Sequence, residues 1–193
     1  MTTHDTSAGA PDKRPPWYWA QFEPGAPHHG STPPGGDLAA LLIGLTVGAG
    51  KAPQMWRFYR TRVDDHLAAR GHVPDRLVAE HMTLALFAYH QQGKPRLMHQ
   101  PGVRLGTAAR ALHDRYSREG VDSSMTAAAQ SRSLGTVFNH LRGLVSQLSA
   151  VGQPLDYTQL LADLRSWPFP DFRARTIRRW GADYHAWTAS PHR

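Results

Sequence analysis

The stretch Pro74-Asp75-Arg76-Leu77-Val78-Ala79-Glu80-His81-Met82-Thr83-Leu84-Ala85-Leu86-Phe87-Ala88-Tyr89-His90-Gln91-Gln92-Gly93-Lys94-Pro95 decides the fold of this 193-residue chain. Proline presets a helical φ, and an aspartate beside it suits the positive end of a helix dipole, so Pro74-Asp75 is a start signal. Leu77, Val78, Met82, Ala85, Leu86 and Tyr89 then recur at the spacing of one helical face, and Gly93-Lys94-Pro95 ends the run. Leu84 and Phe87 extend the apolar surface beyond that face, which predicts a helix nearly enclosed by other elements.

Its neighbours carry the same period. A polar loop, Lys94 to Gly102, leads to a helix predicted from Arg104 to Arg118 with Leu105, Ala108, Ala109, Leu112 and Tyr116 inside. Glu119-Gly120 reads as a break. After Ser123 a long helix puts Leu134, Val137, Phe138, Leu141, Val145 and Leu148 on one stripe and stops at Gly152. Asp156 and Gln159 form a capping-box pattern with a Leu155/Leu160 staple, and Pro168 and Pro170 close that helix. The last helix is predicted after Asp171, burying Ile177, Trp180, Tyr184 and Trp187. Upstream, Asp37 is expected to cap a short helix through Leu38, Leu41 and Leu42, and a second helix is expected from Gln54 through Trp56, Tyr59 and Val63 to Gly71.

Nothing alternates with a period of two, so the expected class is all-α. Residues 1–36 hold seven prolines and five glycines and read as a mostly flexible tail, except that Trp17-Tyr18-Trp19-Ala20-Gln21-Phe22 is expected to anchor on the body. The organisation predicted is two small helical bundles, residues 37–118 and 119–193, joined by a short break.

Lysine and arginine number 22 against 15 acidic residues, a net charge of +7, and the sequence pI is near 10.2. Only Lys13, Lys51 and Lys94 are lysines. Arginine's planar fork favours bidentate contact with phosphate, so polyanions lead the partner classes. The chain has no cysteine, which removes disulfides, thiolate metal sites and cysteine nucleophiles. No stretch approaches the roughly 20 apolar residues of a membrane span, so no membrane partner and a cytoplasmic location are expected.

A catalytic reading finds little support. No two of the twelve histidines stand three or four apart, the spacing a helical metal site needs. His81, His90 and His99 are nine apart, which turns successive side chains about 180° around a helix. His113-Asp114 resembles the paired ligands of metal-dependent phosphohydrolases but lacks evident companions, and Asp64-Asp65 reads as a solvated face. Gly48-Ala49-Gly50-Lys51 lacks the full phosphate-cradling pattern, and no serine sits in a nucleophile elbow. The expectation is a protein that is not an enzyme, with no cofactor and no metal. Trp56, Trp180 and Trp187 read as core aromatics.

The arginines behave differently. On a continuous helix Arg104, Arg115 and Arg118 fall within about 60° of one another, with Arg110 further round. Arg175, Arg178 and Arg179 share a sector of the last helix, Arg57, Arg60 and Arg62 form a third cluster, and Lys94 with Arg96 a fourth. Such a surface predicts weak, sequence-independent, salt-sensitive binding to nucleic acid.

The segments Asp37-Leu38-Ala39-Ala40-Leu41, Pro53-Gln54-Met55-Trp56, Leu84 to Gly93, Leu105-Gly106-Thr107-Ala108, His140-Leu141-Arg142-Gly143-Leu144-Val145, Leu155-Asp156-Tyr157 and Trp180-Gly181-Ala182-Asp183-Tyr184 occur in an order that resembles the CasB family. That family is the small subunit of the type I-E CRISPR Cascade effector complex. The resemblance implies a helical, non-enzymatic protein paired with a second copy of itself. It would contact the backbone and large subunits and help to hold the guide RNA (crRNA), the target DNA and the displaced strand. The family's basic pairs are replaced here by Leu42-Ile43 and by Ser123-Ser124. The candidate nucleic-acid-binding residues are therefore Lys94, Arg96, Arg104, Arg110, Arg115, Arg118 and Arg142. The competing readings are a helical scaffold whose basic faces contact acidic partners and a metal-dependent phosphohydrolase.

Overall fold

A computed structural model describes residues 17–62 and 70–186. Seven α-helices are present among them: α1 (Gly35–Leu42), α2 (Asp75–Gln91), α3 (Leu105–Ala111), α4 (Arg118–Gln130), α5 (Leu134–Val151), α6 (Tyr157–Ser166) and α7 (Pro170–His185). The described residues contain no strand, only an isolated parallel bridge between His99 and Leu155. None of these helices is long and apolar enough to cross a membrane.

Helix α2 runs where its sequence places it, with Pro74 at the cap position and Asp75 in the first turn. It packs against α1, α5 and α6, and Leu84, Ala85, Leu86, Phe87 and Ala88 are almost wholly buried. Trp17–Phe22 docks as expected: Trp19 is fully buried, its ring 6.0 Å from Phe87 and 5.9 Å from Tyr157, and its indole donates to Thr158 Oγ1 at 2.9 Å. One buried cluster extends from Tyr18 to Tyr184 and spans the predicted division at residue 118.

Several helix ends differ from expectation because a local bond outweighs the apolar period. Asp37 lies in the first turn of α1, not at its cap, and its carboxylate accepts from Tyr18 Oη at 2.8 Å and Arg57 at 2.6 Å. Where the helix predicted from Gln54 to Gly71 begins, the described residues form a 3-10 turn, Pro53–Phe58, and residues 63–69 lie outside the described residues. Beyond it Glu80 captures the backbone N–H groups of Arg60 and Thr61 at 2.6 and 2.8 Å, donors that a continuing helix would have used. Trp56 is 58% exposed on this turn rather than in the core. Val63, Asp64-Asp65, Trp187 and Met1 to Pro16 lie outside the described residues.

The helix predicted over Arg104 to Arg118 is two elements. α3 ends at Ala111 with a 3-10 turn behind it, and Ser117 starts α4 by accepting from Gly120 N at 3.2 Å. Glu119-Gly120 therefore sits in a first turn, not in a break. The long helix expected after Ser123 is divided in the same way, because Ser133 caps α5 through Thr136 N at 3.1 Å. Gly152 closes α5 at the predicted position, and does so in the left-handed conformation. Only half of the Asp156/Gln159 box forms: Asp156 accepts from Gln159 N at 2.9 Å, while the Gln159 side chain turns to Asp163. Helix α7 begins at Pro170, ahead of Asp171.

Helices α3 and α7 cross at Gly106. A Cβ there would lie 2.3 Å from the Trp180 carbonyl oxygen and 2.7 Å from the Tyr184 nitrogen, both rigid backbone. Gly106→Ala should therefore force the helices apart and destabilise the fold by about 3 kcal/mol in denaturant titration. Gly135→Ala, which meets nothing within 4 Å, should leave stability nearly unchanged.

Candidate nucleic-acid interface

Most of the described carboxylates are engaged by the fold, Asp114 on the turn after α3 being an exposed exception. Glu23, Asp37, Glu80, Asp122, Asp156, Asp163 and Asp183 each accept a hydrogen bond from another part of the chain. Asp75, Glu119 and Asp171 occupy first turns of α2, α4 and α7, where they favour the helix dipole. Asp163 is the extreme case. It is nearly fully buried and receives Arg179, the Trp180 indole at 2.6 Å and Gln159 at 2.9 Å. Burial raises its pKa, and those donors oppose the rise. Arg110, Arg115, Arg118, Arg132, Arg142, Arg175 and Arg178 are exposed, and none has an ion pair among the described residues. The net positive charge thus resides at the surface.

The predicted site residues divide into two kinds. Lys94 Nζ donates to the Ser149 carbonyl at 2.6 Å and Arg96 to the Gly152 carbonyl at 2.6 Å, so both complement the negative C-terminus of α5. Loop 98–103 beside them is held by backbone bonds from Leu155 to Met98 (3.0 Å), Gln100 to Leu155 (3.1 Å) and Asp156 to Val103 (2.7 Å). Arg104 pairs with Asp183 at 2.9 Å while its side chain stays 43% exposed. These three cations have work inside the fold. Arg110, Arg115, Arg118 and Arg142 make no side-chain hydrogen bond or ion pair among the described residues, and they are open to solvent.

Arg142 lies two helical turns before Ser149 on the same side of α5, about 10 Å along the axis, which puts Lys94, Arg96 and Arg142 along one edge. The shared sector of Arg104, Arg115 and Arg118 does not survive, because it assumed one helix where the chain makes two. Arg118 instead sits near Tyr184, whose phenol donates to Asp122 and receives His113 Nε2–H at 2.7 Å. Burial and the Asp122 carboxylate raise the Tyr184 pKa, and the Arg118 charge opposes them. Arg179 leaves its predicted cluster for Asp163, and Arg57 is paired with Asp37.

His81, His90 and His99 are bonded within the fold, as is His113. His81 Nε2–H donates to Val47 O at 2.8 Å, and its Nδ1 accepts from Tyr59 at 2.7 Å. His99 Nδ1 accepts the Tyr157 backbone N–H at 3.1 Å, so its proton is on Nε2, directed at Glu23 at 2.6 Å. Tyr157 Oη donates to Leu86 O at 3.2 Å, which leaves His90 Nδ1–H to donate to Tyr157 at 2.9 Å. No group of three or more metal-ligating side chains is assembled among the described residues.

The profile of the family described as CRISPR-associated protein Cse2 matches residues 37–185, from α1 to the end of α7. The chain belongs to the Cse2 family. Its fold resembles that of CasB from Thermobifida fusca at 29% identity and a TM-score of 0.60, over 77% of this chain and 83% of that one. CasB from Thermus thermophilus is 25% identical with a TM-score of 0.57, over 78% and 86% of the two chains. Another Thermus thermophilus structure, of a CRISPR-associated protein of the Cse2 family, is 21% identical and shares the fold with a TM-score of 0.59 over 78% and 86%. Among curated proteins none matches. The CasB resemblance read from the sequence is thereby established. This Cse2-family member carries at Leu42 and Ile43 side chains that pack partly buried against the core, so apolar residues there serve packing.

Burial lowers the pKa of His90 from 6.5 to about 4. The unfolded chain binds a proton near pH 6.5 while the folded chain stays neutral until about pH 4, so stability is fully present above pH 6.5 and falls between those values. Denaturant titration should show a loss on the order of 3 kcal/mol from pH 7 to pH 4 attributable to this residue. His90→Gln should flatten that part of the profile.

Proposed function

We propose that this Cse2-family chain is the non-catalytic small subunit of a type I-E Cascade complex. It binds the guide RNA, the target DNA and the displaced strand through phosphate contacts that read no sequence. The observation that carries this reading is the separation of charge: most described carboxylates are bonded within the fold or set in helix first turns, and arginines without an ion pair among the described residues are left outside. A surface of that kind gains affinity by releasing counterions from a polyanion. In an RNA-guided machine base pairing supplies the sequence reading, so a subunit of this type needs shape and charge alone. Backbone and large subunits and a second copy of the chain are its proposed neighbours. Avidity within the assembly compensates for weak single contacts.

Arg110, Arg115, Arg118 and Arg142 are the cleanest test because none supports the fold through an ion pair among the described residues. Arg115→Glu with Arg142→Glu should lower the affinity for arbitrary-sequence DNA and reduce the log–log salt slope by about 1 per lost phosphate contact. An unchanged slope with a failure to co-purify with partner subunits would favour the scaffold reading, in which the basic faces meet acidic proteins.

A further inference from the structure

The corner between α6 and α7 reads Trp167-Pro168-Phe169-Pro170-Asp171-Phe172-Arg173-Ala174-Arg175. Trp167 turns inward, fully buried and stacked on Trp180 at 5.2 Å. Phe169 and Phe172 turn outward and are 57% and 54% exposed. Their rings meet edge to face with centroids 6.2 Å apart at 78°, and the Arg175 guanidinium lies 5.4 Å from the Phe172 centroid. The corner is anchored, because Arg173 donates to the carbonyls of Arg132 and Trp167 at 3.3 and 3.2 Å. Arg132, whose carbonyl Arg173 holds, is exposed, and exposed Arg178 lies one turn beyond Arg175. Asp171 is the acidic residue of the corner.

Two rings more than half exposed contribute little to the isolated fold, since they forgo much of the burial that the core aromatics receive. Flat π-faces beside guanidinium groups suit a ligand with planar rings and negative charge together. Unpaired nucleotides have both, whereas a duplex hides its base faces in the stack.

We propose that Phe169 and Phe172, with Arg175, form a base-stacking foothold for an unpaired nucleic-acid strand. This inference rests on the proposed function and adds to it a preference for single strands and a place where bases, not phosphates, are held. Stacking on a side chain is tolerant of base identity, so the foothold is consistent with binding that reads no sequence.

The test uses the full chain and two labelled strands of equal length, oligothymidine and a strand of abasic sites. Both present the same phosphates, and only one presents bases. The wild-type chain should bind oligothymidine more tightly than the abasic strand. Phe169→Ala with Phe172→Ala should weaken oligothymidine binding about tenfold, leaving the abasic strand and the salt slope unchanged. Phe172→Trp should retain the affinity. Equal wild-type affinity for the two strands, with a steep salt slope, overturns the foothold and leaves the basic-surface reading standing. Failure to bind either strand at low salt overturns both. Unaltered oligothymidine binding in the double variant also overturns the foothold, and if that variant drops out of the assembled complex the corner is a protein contact instead.

Discussion

Helix α2 is enclosed by its neighbours while Glu80, His81, Thr83, His90 and Gln91 occupy buried positions on it. A buried polar group without a partner costs about 1–3 kcal/mol, so these side chains must find partners, and all but Thr83 find them in other segments. Glu80 draws in the backbone at Arg60 and Thr61, and His81 ties down Val47 and Tyr59. Gln91 accepts from Met98 N at 2.8 Å and donates to Arg96 O at 2.9 Å. His90 meets Tyr157, and Thr83 returns its hydroxyl to Ala79 O. The loops before and after α2 are thus shaped by its polar side chains as much as by its apolar ones.

The same economy produces the surface. Asp37, Glu80, Asp163 and Asp183 each pair with an arginine, and the arginines left without an ion pair among the described residues, such as Arg110, Arg115 and Arg142, are exposed. Lys94, Arg96 and Arg104 show that the two duties overlap. They stabilise a helix end or a helix crossing and still present part of a cation to solvent.

The helical class, α2 with both its ends, the helix stop at Gly152 and the docking of Trp19 were legible in the sequence, because period, proline and glycine act locally. The splitting of two expected helices was not, although Ser117 and Ser133 are of a cap-forming type: an apolar stripe that continued across them hid the change of axis. The backbone at Arg60 and Thr61, just beyond the turn Pro53–Phe58, is held by Glu80, some twenty residues distant, and no window of local sequence shows that bond. The exposed arginines were readable one by one, but their grouping was not, since a helical projection is only as good as the helix beneath it. Phe169 and Phe172 resemble core residues in composition. Only the prolines flanking Phe169 hinted that the chain turns there, and only the packing shows which rings remain in water.

The seat of Trp19 is built from Phe87, His99, Tyr157 and Thr158, the last of them 139 residues further along the chain. On a ribosome adding about 5–20 residues per second, the aromatic arm emerges on the order of ten seconds before its receptor is complete. Through that interval the complete cavity for its indole does not yet exist, and the nascent chain must hold or shield it. Closure of the N-terminal arm is then a late event in maturation, one that reports that the C-terminal half has already been made.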